Sequence, residues 1–114
     1  MENESVLSPL FTLKEPPTAI FAANNFLAIS IIRSLKSMNL RVPDDISLVG
    51  YDDLGFASEL NPFLTVAVQP AYQFGYEGIG LLIDRIQGTA APEPRTVLFP
   101  SEIVIRSSSK SPLK

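Results

Sequence analysis

Short apolar runs alternate with helix-forming stretches along most of the 114 residues, and this alternation constrains the fold more than any other feature. TAIFAA (18–23) and ISLVGY (46–51) have the length and composition of strands that are buried on both faces. LTVAV (64–68) is a third run, and TVLFP (96–100) and EIVIR (102–106) are a fourth and a fifth. Strands that alternate with helices predict an α/β fold in which helices flank a mainly parallel sheet.

The clearest helix signal follows the first strand directly. Apolar residues recur along one helical stripe from about 25 to 38, and Asn24 or Asn25 is a suitable N-cap. Asn39 can adopt the left-handed conformation that ends a helix, and Pro43 prevents any continuation. We therefore predict a long helix over about 25–38.

A second long helix is predicted over about 72–87, and Gly88 ends it. Its three glycines indicate either that the helix packs closely against another backbone or that glycine is merely tolerated at these positions. Each glycine weakens the helix by about 1 kcal/mol relative to alanine. LGFASEL (54–60) predicts a short helix between the second and third strands, because a proline follows it at position 62.

The chain is long enough for one domain at most. Residues 1–17 are predicted to form an irregular lead with one or two helical turns at most, because prolines interrupt it. The folded domain is predicted over 18–106. The polar stretch SSSKSPLK predicts a disordered tail over 107–114.

Charge and composition exclude several classes of function. Lysine and arginine total 9 against 12 acidic residues, so the formal net charge is −3 and the chain alone is not expected to bind DNA. Histidine and cysteine are absent, which excludes serine–histidine–acid triads, disulfides, and zinc sites built from histidine or cysteine. We predict no metal and no cofactor.

Neither end of the sequence indicates export or membrane insertion. The first residues, MENESVLSPLF, lack the basic start and continuous apolar stretch of a secretory signal. No segment approaches the roughly 20 apolar residues of a membrane span. We therefore expect a cytoplasmic protein without a membrane partner.

Polar residues follow three of the predicted strands. Asn24 and Asn25 come after the first strand, Asp52 and Asp53 after the second, and Gln69 after the third. Because ligands of parallel α/β sheets bind beyond the carboxyl ends of the strands, these side chains are the candidate ligand-binding residues. Each also has a simpler interpretation, since asparagine can cap the long helix and a glutamine before proline can be solvated.

The adjacent acids Asp52 and Asp53 allow three interpretations. Consecutive residues of a strand point to opposite sides, so one acid should face the ligand crevice and the other should turn away. The outward acid, Asp53, is predicted to cap the short helix, and Asp52 to accept hydrogen bonds from hydroxyl or amine groups of a ligand. A catalytic pair is less favoured, because no nucleophile or distinct acid and base environments are indicated.

Five sequence blocks resemble one family: PTAIFAANN, LRVPDDISLVGYDD, LTVAVQP, FGYEGIGLLIDRIQG and SEIVIRSS. In this order they are similar to the C-terminal part of the effector-binding core of lactose-repressor/galactose-repressor (LacI/GalR) transcription regulators. The resemblance covers about residues 17–109. It implies part of a periplasmic-binding-protein-like core of two α/β lobes, with a sugar or similar small effector in the cleft between them.

The resemblance also implies roles for individual residues. Asp52 matches the acid that faces the effector, Asp53 its structural neighbour, and Asn24 an asparagine at the cleft edge. Gln69 lies at the crossover between the lobes. Asn25 stands where the family usually has aspartate.

The family further implies a homodimer or larger assembly, and operator DNA bound through a helix-turn-helix domain that this chain lacks. Phe26, Ile29 and Phe56 are the implied dimer-interface residues, although all three can also be core residues. The resemblance implies that the chain is not an enzyme. The alternatives are a fragment of a periplasmic-type sugar-binding protein and, less favoured, a small enzyme that uses the two aspartates.

Overall fold

The structure, a computed structural model, describes residues 4–53 and 55–112. It divides into two compact units: unit 1 extends to Val68 and resumes at Ile103, and unit 2 comprises Gln69–Glu102. The helices are α1 (Glu4–Leu7), α2 (Asn25–Ser37), α3 (Phe56–Leu60) and α4 (Ala71–Gln87). The strands are β1 (Ala19–Ala22), β2 (Ser47–Tyr51), β3 (Thr65–Val68) and β4 (Glu102–Val104).

The sheet has four strands in the order β1-β2-β3-β4. β1 pairs with β2 and β2 with β3, both in parallel, so that Ala22 lies opposite Gly50 and Gly50 opposite Val66. This confirms the predicted α/β fold with a mainly parallel sheet. Because β1 and β2 run in the same direction, the residues that follow them come out at the same edge of the sheet.

Helix α2 forms as its sequence predicts. Asn24, in extended backbone conformation, accepts a hydrogen bond from the Leu27 N–H at 2.9 Å and so caps the first turn. At the other end Asn39 has a φ of 59°, the left-handed conformation expected of it. The inner face of α2 carries Ala28 and Leu35, at most 1% exposed. Truncating a leucine buried to this extent typically costs about 2–5 kcal/mol.

One face of β1 remains open. Ala22 is 1% exposed and Ile20 packs against the core, whereas Phe21 between them is 61% exposed. Side chains alternate along a strand, and core residues of α2 cover only the face that carries Ile20 and Ala22. The prediction that TAIFAA is buried on both faces is therefore wrong for the residues that the structure describes.

The N-terminal lead is more ordered than predicted. Helix α1 is followed by a 3-10 helix over Ser8–Thr12, so helical turns occupy much of the predicted irregular lead. Leu7 is 8% exposed and belongs to the core of unit 1, and Phe11 packs against that core. Two apolar side chains of a polar segment are enough to anchor these turns on the domain.

The tail prediction, disorder over 107–114, is wrong for the part nearest the domain. Ser108 is fully buried, and its N–H donates to the Phe63 carbonyl oxygen at 2.9 Å. Its hydroxyl donates to the Leu48 carbonyl oxygen at 2.6 Å and accepts the Thr65 N–H at 2.8 Å. Buried serine is tolerated here because its polar atoms bond to backbone groups of β2, β3 and the loop before β3.

Unit 2 consists of α4 and the segment that follows it. Gly88 ends the helix with a φ of 74°, as predicted. Phe74 and Phe99 pack with ring centroids 5.6 Å apart. The predicted fourth strand at 96–100 is wrong, because no strand lies between β3 and β4 among the described residues.

No helix within 4–53 and 55–112 is long and apolar enough to cross a membrane. No group of three or more acidic, histidine or cysteine residues in that same part of the chain is arranged to hold a metal ion.

Candidate functional site

Asp52 lies at the bend where β2 ends. Its φ of 77° is in the left-handed region, which is uncommon for a residue with a side chain and costs about 1–3 kcal/mol. Its N–H donates to the Ala67 carbonyl oxygen of β3 at 2.8 Å. The half-buried carboxylate makes no hydrogen bond or ion pair with any other residue of the described chain. The backbone of Asp52 is thus fixed, and its acceptor atoms are left available.

Asp53 has different surroundings. Arg106 donates from Nη1 to Asp53 Oδ1 at 2.9 Å and from Nη2 to Oδ2 at 2.8 Å. Both side chains are largely buried, with 27% of Asp53 and 15% of Arg106 exposed. The hydrogen bonds from Arg106 to Asp53 raise the pKa of the guanidinium above its ordinary value. Asp53 is thus paired with Arg106, whereas the Asp52 carboxylate has no such partner among the described residues.

The residue in the N-cap position of α3 is Gly55, and the helix begins at Phe56. Sequence reasoning assigned the cap to Asp53 and did not identify Arg106 as its partner. Asp53 and Arg106 lie 53 positions apart in sequence, so no local sequence pattern indicates their pairing. The available signal was an arginine directly after an apolar run, where a charged side chain near the core requires a partner.

Asn25 connects the start of α2 to the end of β2. Its Nδ2 donates to the Asp53 carbonyl oxygen at 3.3 Å. Its Oδ1 is buried and accepts no hydrogen bond from the part of the chain that the structure describes. This contact brings Asn25 beside the two acids, at the shared carboxyl edge of β1 and β2.

Asn24 and Gln69, the other two predicted ligand-binding residues, are less closely connected to the two acids. The side-chain oxygen of Asn24 is used by its own helix as a cap, although the residue is exposed. Gln69 is half-buried, follows β3 directly in the chain and opens unit 2, and its carbonyl oxygen accepts the Ala71 N–H at 2.8 Å. The structure therefore brings together Asn25, Asp52 and Asp53.

The predicted interface residues on α2 face outward. Phe26 is 84% exposed and Ile29 is 39% exposed, so within unit 1 they are surface and not core. Phe56 is the first residue of α3, but its side chain lies outside the described part of the structure.

A cavity of about 520 Å³ in unit 1 lies at the opposite edge of the sheet. It is lined by residues before β2 and β3 together with the last turns of α2, among them Leu35, Leu40 and Phe63. None of the predicted ligand-binding residues lines it. This cavity therefore does not include the edge that carries Asp52.

Comparison with known proteins defines the class. The family described as "Periplasmic binding protein-like domain" matches residues 2–109. The chain is 32% identical over 109 residues to the HTH-type transcriptional repressor CytR of Escherichia coli (strain K12), an alignment that covers 96% of this chain and 32% of CytR. The chain thus spans about a third of that relative's length.

Solved structures lead to the same class. A LacI family transcriptional regulator from Enterococcus faecium, with bound ribose, superposes with a TM-score of 0.79 at 30% identity, covering 98% of this chain and 40% of the other. A dimeric Lac repressor with an 11-residue C-terminal deletion gives 0.73 at 34% identity, covering 85% and 35%. The chain belongs to the periplasmic binding protein-like domain family, and within it to the effector-binding core of LacI/GalR regulators.

Proposed function

We propose that these residues form the C-terminal ligand-binding and dimerisation segment of a LacI-type transcription regulator that senses a sugar or a similar small effector. The observation that carries the proposal is the Asp52 carboxylate at the carboxyl edge of a parallel sheet: it has no hydrogen-bond or ion-pair partner within residues 4–53 and 55–112, whereas the neighbouring acid is paired with Arg106. A carboxylate accepts hydrogen bonds from the hydroxyl groups of a sugar. The ribose held by the Enterococcus faecium relative supports a ligand of this class.

The same geometry favours binding over catalysis. A carboxylate acid–base pair needs two groups that can exchange protons with a substrate. Asp53 is committed to Arg106 by two charge-assisted hydrogen bonds, which leaves Asp52 as the available carboxylate of the pair. The relatives named above are regulators, and we assign this chain a non-catalytic role.

The site is proposed to be one wall of a cleft. In unit 1, Asp52 and Asn25 lie at the carboxyl edge of β1 and β2, and Phe21 leaves an apolar part of the sheet exposed. In a two-lobed core an effector contacts both walls, and its binding shifts the population towards the closed arrangement. We therefore expect the chain by itself to bind a sugar weakly, in the millimolar range or above.

Dimerisation is assigned to the outer surface of α2, where Phe26 and Ile29 are exposed. The dimeric Lac repressor among the relatives supports a second copy of the chain as the partner. Phe56 stays an interface candidate from sequence. We assign operator binding to a helix-turn-helix domain of a whole regulator and not to these residues, whose net charge is −3, and we place such a regulator in the cytoplasm.

A titration of the ¹⁵N-labelled chain with ribose, followed by nuclear magnetic resonance, tests the proposal. We expect the amide signals of residues 24–25 and 52–53 to shift at millimolar ribose, and Asp52→Asn to abolish the shifts. Asp84→Asn, which removes an acid from α4, is the matched control and should leave them in place. Micromolar binding by this chain, or shifts confined to other residues, would contradict a half site centred on Asp52.

A further inference from the structure

The backbone at Asp52 is held in an unfavourable conformation by its neighbours. A side-chain-bearing residue with a φ of 77° persists only where the surroundings determine the conformation. On one side the Asp52 N–H is tied to the Ala67 carbonyl oxygen at 2.8 Å. On the other side, the carbonyl oxygen of Asp53 accepts a hydrogen bond from Asn25 at 3.3 Å. A further anchor is the side chain of Asp53 itself.

Arg106 is the partner of that side chain, and it is itself fixed to the sheet. Its Nη1 also donates to the Leu64 carbonyl oxygen at 3.0 Å. Its backbone N–H donates to Thr65 Oγ1 at 2.9 Å, and Thr65 Oγ1 donates to its carbonyl oxygen at 3.1 Å. The guanidinium therefore reaches Asp53 from a backbone that is bonded to the edge of β3.

The pairing of Arg106 with Asp53 also restricts the orientation of the Asp53 carboxylate. A planar guanidinium that meets a carboxylate with two nitrogens fixes the rotation of the carboxylate as well as its position. With Asp53 held in this way, the peptide between Asp52 and Asp53 is fixed at both ends. Loss of the pair would leave the left-handed conformation of Asp52 with fewer contacts to offset its cost.

We propose that Arg106 is a positioning residue for the effector site: through Asp53 it holds the bend after β2 that presents the Asp52 carboxylate at the sheet edge. This inference rests on the proposed role of Asp52 in effector binding. Arg106 does not need to contact the effector. Arg106 acts on the site through its contact with Asp53, which lies 53 positions away in sequence.

Hydrogen exchange of the Asp52 amide measures the bend directly and needs no ligand. In Arg106→Gln we expect exchange at Asp52 to become at least about tenfold faster relative to exchange at Leu48. Leu48 is the internal reference, because its N–H donates to the Ser108 carbonyl oxygen and reports the general stability of unit 1. Equal acceleration at both amides would show a merely structural role and overturn the proposal.

Asp53→Asn is the second variant, and it keeps the shape of the side chain. Its amide nitrogen would face a donor of Arg106, so the same selective acceleration at Asp52 is expected. Arg41→Gln removes an exposed arginine–aspartate pair elsewhere in unit 1 and should leave the ratio unchanged. If neither Asp53→Asn nor Arg106→Gln changes the ratio, the positioning role is wrong.

Titration with ribose separates the two proposals. If the variants accelerate hydrogen exchange at the Asp52 amide and also weaken the shifts that ribose produces, both proposals are supported. If the variants accelerate exchange at the Asp52 amide but ribose shifts no residue of the unmodified chain, Arg106 still holds the bend after β2 and the effector assignment fails. If ribose binds and both variants bind it as well as the unmodified chain does, the positioning role is overturned.

Discussion

Ser108 and Leu48 exchange two hydrogen bonds across 60 positions of sequence. The Leu48 N–H donates to the Ser108 carbonyl oxygen at 2.9 Å, and the Ser108 hydroxyl donates to the Leu48 carbonyl oxygen at 2.6 Å. The same hydroxyl oxygen accepts the N–H of Thr65 at 2.8 Å. One serine side chain thus satisfies backbone groups of both β2 and β3.

Ser108→Ala should therefore destabilise the chain more than the removal of one small hydroxyl group would suggest. Removing the hydroxyl leaves the Thr65 N–H without its acceptor in a buried position, at a cost of about 1–3 kcal/mol. Urea denaturation followed by circular dichroism measures the free energy of unfolding. Ser107→Ala, at the exposed neighbouring position, is the control and should change that free energy by less than about 0.5 kcal/mol. Equal effects would contradict the described placement of the tail.

Asn24→Ala should weaken α2 through the loss of its cap. The Asn24 side chain accepts the Leu27 N–H at 2.9 Å, and replacing such a cap by alanine costs about 1 kcal/mol. Asn24→Asp keeps the acceptor and adds a charge that favours a helix N-terminus, so its free energy of unfolding should match or exceed that of the unmodified chain. If the aspartate variant is as unstable as the alanine variant, capping is not the main role of Asn24.

Lys110→Gln should raise the pKa of Asp44. The Lys110 Nζ lies 2.7 Å from Asp44 Oδ1, and this hydrogen bond holds the pKa of Asp44 below its ordinary value of 3.8. Because the pKa is lower in the folded state, the pair stabilises the fold above about pH 3.8, and that contribution is lost as the pH falls through the folded-state pKa. A carboxyl-carbon titration by nuclear magnetic resonance measures the change.

Asp45 provides the control for that titration. Its pKa is lowered mainly by the hydrogen bond from the Arg41 backbone N–H at 2.7 Å, and Lys110 contributes least of its causes. In Lys110→Gln the pKa of Asp45 should hardly move while that of Asp44 rises. High salt should reproduce part of the Asp44 change, because the pair is exposed and therefore screened.

Phe26→Ser should weaken self-association. The side chain is 84% exposed on α2, and a large apolar group on such a surface favours contact with a second copy. Light scattering at micromolar concentration should show dimers or larger assemblies for the unmodified chain and a shift towards monomer for the variant. Val6→Ser changes another exposed apolar residue and should leave the distribution in place. A stable monomer of the unmodified chain would contradict the assembly prediction.

The elements with local signals were predictable from sequence. α2 carries its cap, its apolar stripe and Asn39 within one continuous stretch, and Gly88 marks the end of α4 in the same way. The parallel sheet followed from the alternation of strands and helices. The position of Asp52 at the carboxyl edge followed from that sheet.

The errors concern features that depend on distant residues. SSSK has the composition of a solvated tail, and nothing near Ser108 shows that buried backbone groups of β2 and β3 require its hydroxyl. TVLFP has the composition of a strand, but a strand forms only where it pairs with another, and the segment joins no sheet among the described residues. Arg106 was likewise missed as the partner of Asp53, since their pairing exists only after the sheet is assembled.

The division of unit 1 into two stretches has a consequence for synthesis. A nascent chain that has reached residue 102 contains β1, β2 and β3 but none of Arg106, Ser108 or Lys110, which bond to Asp53, Leu48 and Ser47. Unit 1 can therefore acquire its full set of hydrogen-bond partners only after all of unit 2 has been translated. Until then, donors and acceptors of its central strands that are buried in the folded unit still lack their partners.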